Sequence, residues 1–394
     1  MKASIIIVGS EMIKNRVEEK NSTILSQMLL KKGYRIDGKF FVEDDRKKIA
    51  DILKYCMNRS ELILITGGLG PTPDDLTIPS VASALRKKVV LSNRILNDLK
   101  KRFKNLPDDA LKKHSLVIEG SKNFKNDVGL CYSQLIKFKG GKIFLLPGVV
   151  KEVLWLTENV LKKEIGSYRK TKEYNLKIFN STEVEILKVL EDQFLKSDVS
   201  RIQFYPSYGF IDVFLEDKNI FEFLKKRFKE NCLDTRGKSL NLFLRDLMLK
   251  KKLTLSIAES CTGGFLSKVI TDVSKASKFF LGGVVTYSDR SKKGILGIEK
   301  MILEKFSSVS EIVSKKMAVN CSKIFCSNIS LSITGYAGPD GGNSNTPVGT
   351  VFISIFYKND VKTEKFIFTG DRETIRTKSV NLALFMILRS ILNE

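Results

Sequence analysis

The sequence predicts two α/β domains, the first doubly wound, separated by a small α+β insert, and three observations support this reading. Apolar, β-branched runs end in glycine loops: ASIIIV at Gly9, ELILIT at GGLG, KIFLL at Pro147-Gly148, TLSIA at ESCTGG and ISLSIT at GYAG. Helix-periodic segments lie between these runs, an alternation that builds a mainly parallel sheet covered by helices. Residues 169–240 break the texture with alternating strands and two helical segments. The 394 residues suit two or three domains at roughly 100–200 residues each. The boundaries read as 1–168, 169–240 and 241–394.

In the first domain residues 3–8 form a strand, and a helix over roughly 21–32 starts at Asn21 and stops at Gly33. YRIDGKFFV is a strand, DDRKKIADILKYCMNRS a helix and ELILIT a buried parallel strand; further strands fall near 115–119 and 142–146. In the insert, YNLKIF and the pair IQFYP and FIDVFLE are strands, and EVEILKVLEDQFL and NIFEFLKKRFKEN are helices. In the third domain a helix near 238–251 leads to strand TLSIA. FLGGVVTYS and ISLSIT are strands, and a helix covers about 310–326. GTVFISIFY turns back through Asn359-Asp360 into a further strand, and a C-terminal helix begins at about Arg372.

Lys and Arg outnumber Asp and Glu by 67 to 44, a net charge of +23. The lysines fall as KK doublets beside acidic residues, the pattern of solvated helix faces, and no aromatic-interleaved basic block marks a nucleic-acid interface. A phosphate-bearing small substrate also suits a positive surface. No apolar run reaches the ~18–20 residues of a membrane span, and MKASIIIVGSEM reads as a first strand rather than a secretory signal. Cys56, Cys131, Cys232, Cys261, Cys321 and Cys326 form no CxxC pair and no zinc spacing, so free thiols in a cytoplasmic protein are expected. His114 is the sole histidine, which excludes Ser-His-Asp, Cys-His and multi-histidine metal chemistry unless His114 itself serves.

Four loops of the third domain and one of the first carry the chemistry. AESCTGG places Ser260 between a buried strand and a helix, with the N–H groups of Cys261, Thr262, Gly263 and Gly264 at a helix N-terminus, a setting for an oxyanion or a phosphate. A plain capping serine fits the same residues, and Cys261 competes as the nucleophile. VVTYSDRSKK sets Tyr287 and Lys292 after another strand end. Without an imidazole, a serine needs a lysine or tyrosine base, and the lysine must be neutralised by burial or nearby positive charge; Lys293 is equally placed by spacing alone. TGYAGPDGG, with Gly338, Asp340 and Gly341, makes a rigid backbone loop that can wrap a ligand or simply turn the chain. Arg372 and Arg376 stand four apart on one helix face, where they can grip a phosphate or stay exposed. In the first domain TGGLGPTPDDLT presents Gly67, Gly68, Gly70 and Thr72 as a nest for a diphosphate. Asp74 and Asp75, with Asp44 near the same sheet edge, suit a metal that bridges it; a helix cap is the alternative reading.

Taken together, AESCTGG, GGVVTYSDRSK, TGYAGPDGG, TPVGTV and GDRETIR, in this order, resemble the CinA (competence/damage-inducible) family over essentially the whole chain. That resemblance implies an N-terminal molybdopterin-binding-like domain, a KH-like insert and a C-terminal amidohydrolase domain. It implies catalytic roles for Ser260, Tyr287 and Lys292 and substrate contacts from the arginine helix. The implied reaction is hydrolysis of nicotinamide mononucleotide to nicotinic acid mononucleotide and ammonia, without a cofactor. For the N-terminal domain it implies ADP-ribose pyrophosphatase activity with a divalent metal (Mg, Mn or Co) and potassium. The expected partners are these nucleotides and a second copy of the chain, with neither membrane nor nucleic acid. Some segments depart from the family pattern. NDVGLCYS carries Leu130, Cys131, Tyr132 and Ser133 where small residues and proline are usual; LPGVVKEV has Val150 and Val153; FNSTE lacks a glycine; Tyr336 and Ser307-Ser308 replace isoleucine and a Gly-Ala pair. A catalytically weakened competence- or DNA-damage-related binding protein is the third reading.

Overall fold

The β-branched runs of the N-terminal half pair into one sheet because both of their faces can be covered by helices. A computed structural model describes residues 1–14, 16–168, 172–344 and 346–393. It divides into two compact units, Met1–Thr171 and Lys172–Glu394.

In the first unit the strands are β1 (Lys2–Val8), β2 (Arg35–Val42), β3 (Leu62–Thr66), β4 (Val89–Leu91), β5 (Leu116–Ile118), β6 (Lys122–Phe124), β7 (Ser133–Phe138) and β8 (Gly141–Leu146). The main sheet runs β2-β1-β3-β8-β7-β6; its first four strands are parallel and its last two pairings, β8 with β7 and β7 with β6, antiparallel. The strand expected near 115–119 forms, but it pairs with β4 in a separate two-stranded ladder. Alternation shows the double winding. Ala3, Ile5, Ile7, Leu62 and Leu64 face one core, under the helices Asn21–Lys31 and Val150–Leu156. Ile6, Val8, Ile63 and Ile65 face another, under the helices Arg46–Met57 and Thr77–Ala84.

The second unit holds two sheets. β9 (Tyr174–Phe179), β10 (Gln203–Ser207), β11 (Phe210–Leu215) and β12 (Cys232–Leu233) make an antiparallel sheet ordered β10-β11-β9-β12. The helices Glu183–Glu191 and Lys218–Phe228 cover one face of it. From the other face Phe179 and Phe210 join the core that contains the C-terminal helix Arg372–Leu392, and the Phe179 and Phe385 rings stack at 3.9 Å.

The other sheet is β13 (Leu255–Glu259), β14 (Phe280–Val285), β15 (Ile329–Gly335), β16 (Thr350–Tyr357) and β17 (Asp360–Ile367), ordered β14-β13-β15-β16-β17. The first three strands of this order are parallel and the last pairings antiparallel. The hairpin between β16 and β17 turns one residue earlier than the sequence suggests. Tyr357 pairs with Asp360, and the two loop residues are Lys358 and Asn359, at φ 52° and 61°. A two-residue turn of this hand needs positive φ at both positions, which asparagine tolerates. The carboxyl ends of β13, β14 and β15 therefore open toward the loops that carry Ser260 and Gly338 and the helix that carries Lys292.

Candidate active site

Ser260 follows the last residue of β13, and its N–H donates to Ile333 O at 2.9 Å. The chain then turns through Gly263 and Gly264, at φ 58° and 92°, into the helix Phe265–Thr271. Both positions use the left-handed region that glycine enters at little cost. Of the four N–H groups expected to face a ligand, two are spent inside the turn. Gly263 donates to Ser260 O at 3.0 Å and Gly264 to Glu259 Oε2 at 3.1 Å. The amides left to receive an oxyanion are those of Cys261 and Thr262. Thr262 Oγ1 is buried and has no partner among the described residues.

Lys292 reaches Ser260 from the helix Asp289–Leu296. Its Nζ donates to Ser260 Oγ at 3.2 Å and to Thr286 O at 3.0 Å. The side chain is 1% exposed, and burial pushes its pKa below the ordinary lysine value, with the Asp289 carboxylate acting in the opposite direction. Asp289 is in turn held by the Ser308 hydroxyl. Lys293, equivalent by spacing, is exposed. Cys261 is buried, and desolvation pushes its thiol up to about 12, so it stays protonated near neutrality.

Tyr287 does not join this pair. It is 59% exposed, and its hydroxyl accepts from Arg372 Nη2 at 2.8 Å; Ser260 Oγ has Lys292 as its partner among the described residues. Arg372 is also tied down, its Nη1 donating to Gly338 O at 2.7 Å. Arg376 Nη2 donates to Thr262 O at 2.6 Å, while its buried Nε lacks a partner among the described residues. The two arginines thus brace three loops as well as presenting charge. With Lys268, Phe265 and Glu373 they line an open cleft of ≈ 560 Å³ beside Gly263 and Gly264. Gly338 and Gly341 take positive φ in the 336–349 loop, and Asp340 is exposed with no hydrogen-bond partner among the described residues.

In the first unit, Gly67, Gly68, Gly70 and Thr72 form the loop after β3. A Cβ on Gly67 would meet Val8 O at 2.1 Å, so the close approach requires glycine. The three carboxylates proposed for a metal do not gather. Asp44 Oδ2 accepts from Ser10 N–H and Oγ, and Asp75 accepts from the N–H groups of Gly70 and Thr72 and from the Thr72 hydroxyl. Asp74 is exposed. Among the described residues no three His, Cys, Asp or Glu side chains are grouped to hold a metal. The set therefore does not fit a shared metal site. His114 lies 3.6 Å from Cys131 Sγ; burial lowers the imidazole pKa and raises the thiol to about 12, so the two form no ion pair near neutrality.

Residues 237–391 match the family described as CinA C-terminal domain, and residues 4–167 that described as probable molybdopterin binding domain. A CinA-like protein from Thermotoga neapolitana is 34% identical over 400 residues, covering 97% of this chain and 96% of its own. The chain belongs to the CinA family. A second CinA-like protein, from Petrotoga mobilis, is 34% identical over 398 residues, 98% of either chain. A solved CinA superfamily protein from Escherichia coli is 36% identical, covers 38% of this chain and 88% of its own, and has a TM-score of 0.38. In this CinA-family chain the C-terminal match contains Ser260, Lys292, Arg372 and Arg376, and the N-terminal match contains the 66–77 loop. Among the described residues no helix is long and apolar enough to cross a membrane.

The sequence reading does not single out Glu259, Thr286 or Asp289. Glu259 reads as an ordinary polar residue at a strand end, and an acceptor carbonyl such as that of Thr286 has no residue-type signature. The capping pattern around SDRS was the available signal for Asp289 on the first turn of the lysine helix.

Proposed function

We propose that the C-terminal domain hydrolyses the carboxamide of nicotinamide mononucleotide to the carboxylate and ammonia. The reading is carried by the 3.2 Å contact between Ser260 Oγ and the buried Lys292 amine. A neutral amine at that distance can take the serine proton as Oγ attacks the amide carbon. The oxyanion that forms is stabilised by the Cys261 and Thr262 N–H groups. The lysine proton passes to the leaving nitrogen, the C–N bond breaks, and ammonia departs. Water then attacks the acyl-serine ester, gives its proton to Lys292, and the product acid leaves as Ser260 recovers that proton. Lys268, Arg372 and Arg376 supply the cationic wall for the nucleotide phosphate. Tyr287 orients Arg372 and takes no proton.

Ammonia release from nicotinamide mononucleotide by the purified chain tests the reading. The wild type turns over, Ser260→Ala loses about 10³-fold or more in kcat with binding retained, and Tyr287→Phe keeps a rate within about tenfold. Equal turnover by Ser260→Ala would remove the assignment.

A further inference from the structure

A carboxylate stands where the reactive turn begins, and its bonding is not that of an ordinary cap. Glu259 is fully buried at the end of β13 and makes no ion pair among the described residues. Its Oε2 accepts from the N–H groups of Gly264 at 3.1 Å and Leu266 at 3.0 Å; its Oε1 accepts from Ser267 N–H at 2.8 Å and Ser267 Oγ at 2.6 Å. Gly264, at the N-cap position of the helix, has no side chain to do this. The carboxylate reaches forward from the strand and closes the 260–264 turn on itself. The same residue's carbonyl accepts from Thr286 N–H at 2.8 Å, and Thr286 O accepts from Lys292 Nζ.

We propose that Glu259 is the positioning residue of the Ser260–Lys292 pair: its carboxylate fixes the nucleophile's turn and its main chain fixes the anchor of the lysine. The claim rests on Ser260 being the nucleophile, as read above. A buried carboxylate is retained only if its lone pairs are met by good donors, and here four donors meet them. A glutamine has one acceptor oxygen, so its amide nitrogen would face N–H groups that need an acceptor. The turn would shift, and a misplacement of about 1 Å costs on the order of 10²-fold in rate. The negative charge also helps to keep the Cys261 thiol protonated, after desolvation.

The test uses the full chain and a fluorophosphonate, which reports serine reactivity without the nucleotide. Ser260 Oγ bonds to phosphorus, fluoride leaves and the serine proton goes to Lys292. Wild type is expected to label at Ser260, located by peptide mass. Glu259→Gln with a native circular dichroism spectrum is expected to label on the order of 10²-fold more slowly, with kcat reduced alike and KM unchanged. A merely structural role would lower Tm and leave labelling and kcat at wild-type values, which overturns the proposal. If Glu259→Gln does not fold, Ser267→Ala removes one of the four donors, the hydroxyl, and severalfold slower labelling supports the claim while an unchanged rate overturns it. Labelling slowed in Glu259→Gln, with no ammonia released from nicotinamide mononucleotide by wild type, ends the amidohydrolase reading and keeps the positioning claim. Equal labelling with ammonia released does the reverse.

Discussion

Lys292 meets two opposed demands. As a base it must be neutral, and burial shifts it in that direction; as a buried amine it costs stability whenever it is charged. Its folded pKa lies below the unfolded value near 10.5. Between those two values the unfolded chain binds the extra proton, so stability rises with pH through that window and is lowest below the folded pKa. Lys292→Met keeps the length and removes the charge. It is expected to abolish ammonia release yet stabilise the chain by about 1–2 kcal/mol at neutral pH. That gain fades as pH rises toward 10.5, and urea midpoints across pH check it. Activity follows the complementary rule: kcat/KM rises with pH along an acid limb that belongs to Lys292. Asp289 opposes the burial effect, so Asp289→Asn should move that limb to lower pH. An unmoved limb would show that some other group titrates there.

Elements explain both what the sequence reveals and what it hides. β1, β3, β13 and β15 are legible because a strand buried on both faces is largely apolar, and polar residues that do sit there, such as Ser4, Ser256 and Ser332, are hydrogen-bonded. Ser260 stands out because a Gly-Gly pair three residues on, which the structure places at positive φ, breaks the chain between strand and helix. The bond between Arg372 and Tyr287 is not, since 85 residues separate them and only the sheet order brings their loops together. β6 and β7 are hidden for another reason: they are antiparallel additions at the sheet edge, short or interrupted by lysine, so their runs look like loops. Phe179 is equally quiet in sequence, the last residue of a six-residue strand, yet it stacks on Phe385 of the C-terminal helix. Phe179→Ala should cost about 3–5 kcal/mol of stability. Because the same core reaches Ile375, one turn after Arg372, the loss should also raise KM for the nucleotide. Urea unfolding and steady-state kinetics read the two effects separately.

At the scale of the whole chain, a charge of +23 acts on an anionic substrate before any contact is made. The dispersed lysines are solvated, and some pair with acids at i,i+4, so most contribute to a diffuse field rather than a binding surface. Such a field is screened within about 8 Å at physiological ionic strength. The cations at the cleft act at shorter range and are screened less. Two salt effects therefore separate. Raising ionic strength from about 20 mM to 0.5 M should lower kcat/KM for nicotinamide mononucleotide severalfold, through capture of the phosphate, and leave kcat nearly constant because the amide chemistry lies at the buried pair. Nicotinamide riboside, which lacks the phosphate, should turn over with a higher KM and show little of this salt dependence. Arg376→Ala should make the nucleotide behave like the riboside in both respects, since it removes a cationic side chain lining the cleft beside Gly263. Parallel salt curves for the phosphorylated and unphosphorylated substrates would place the phosphate away from this cleft and require another cationic face to hold it.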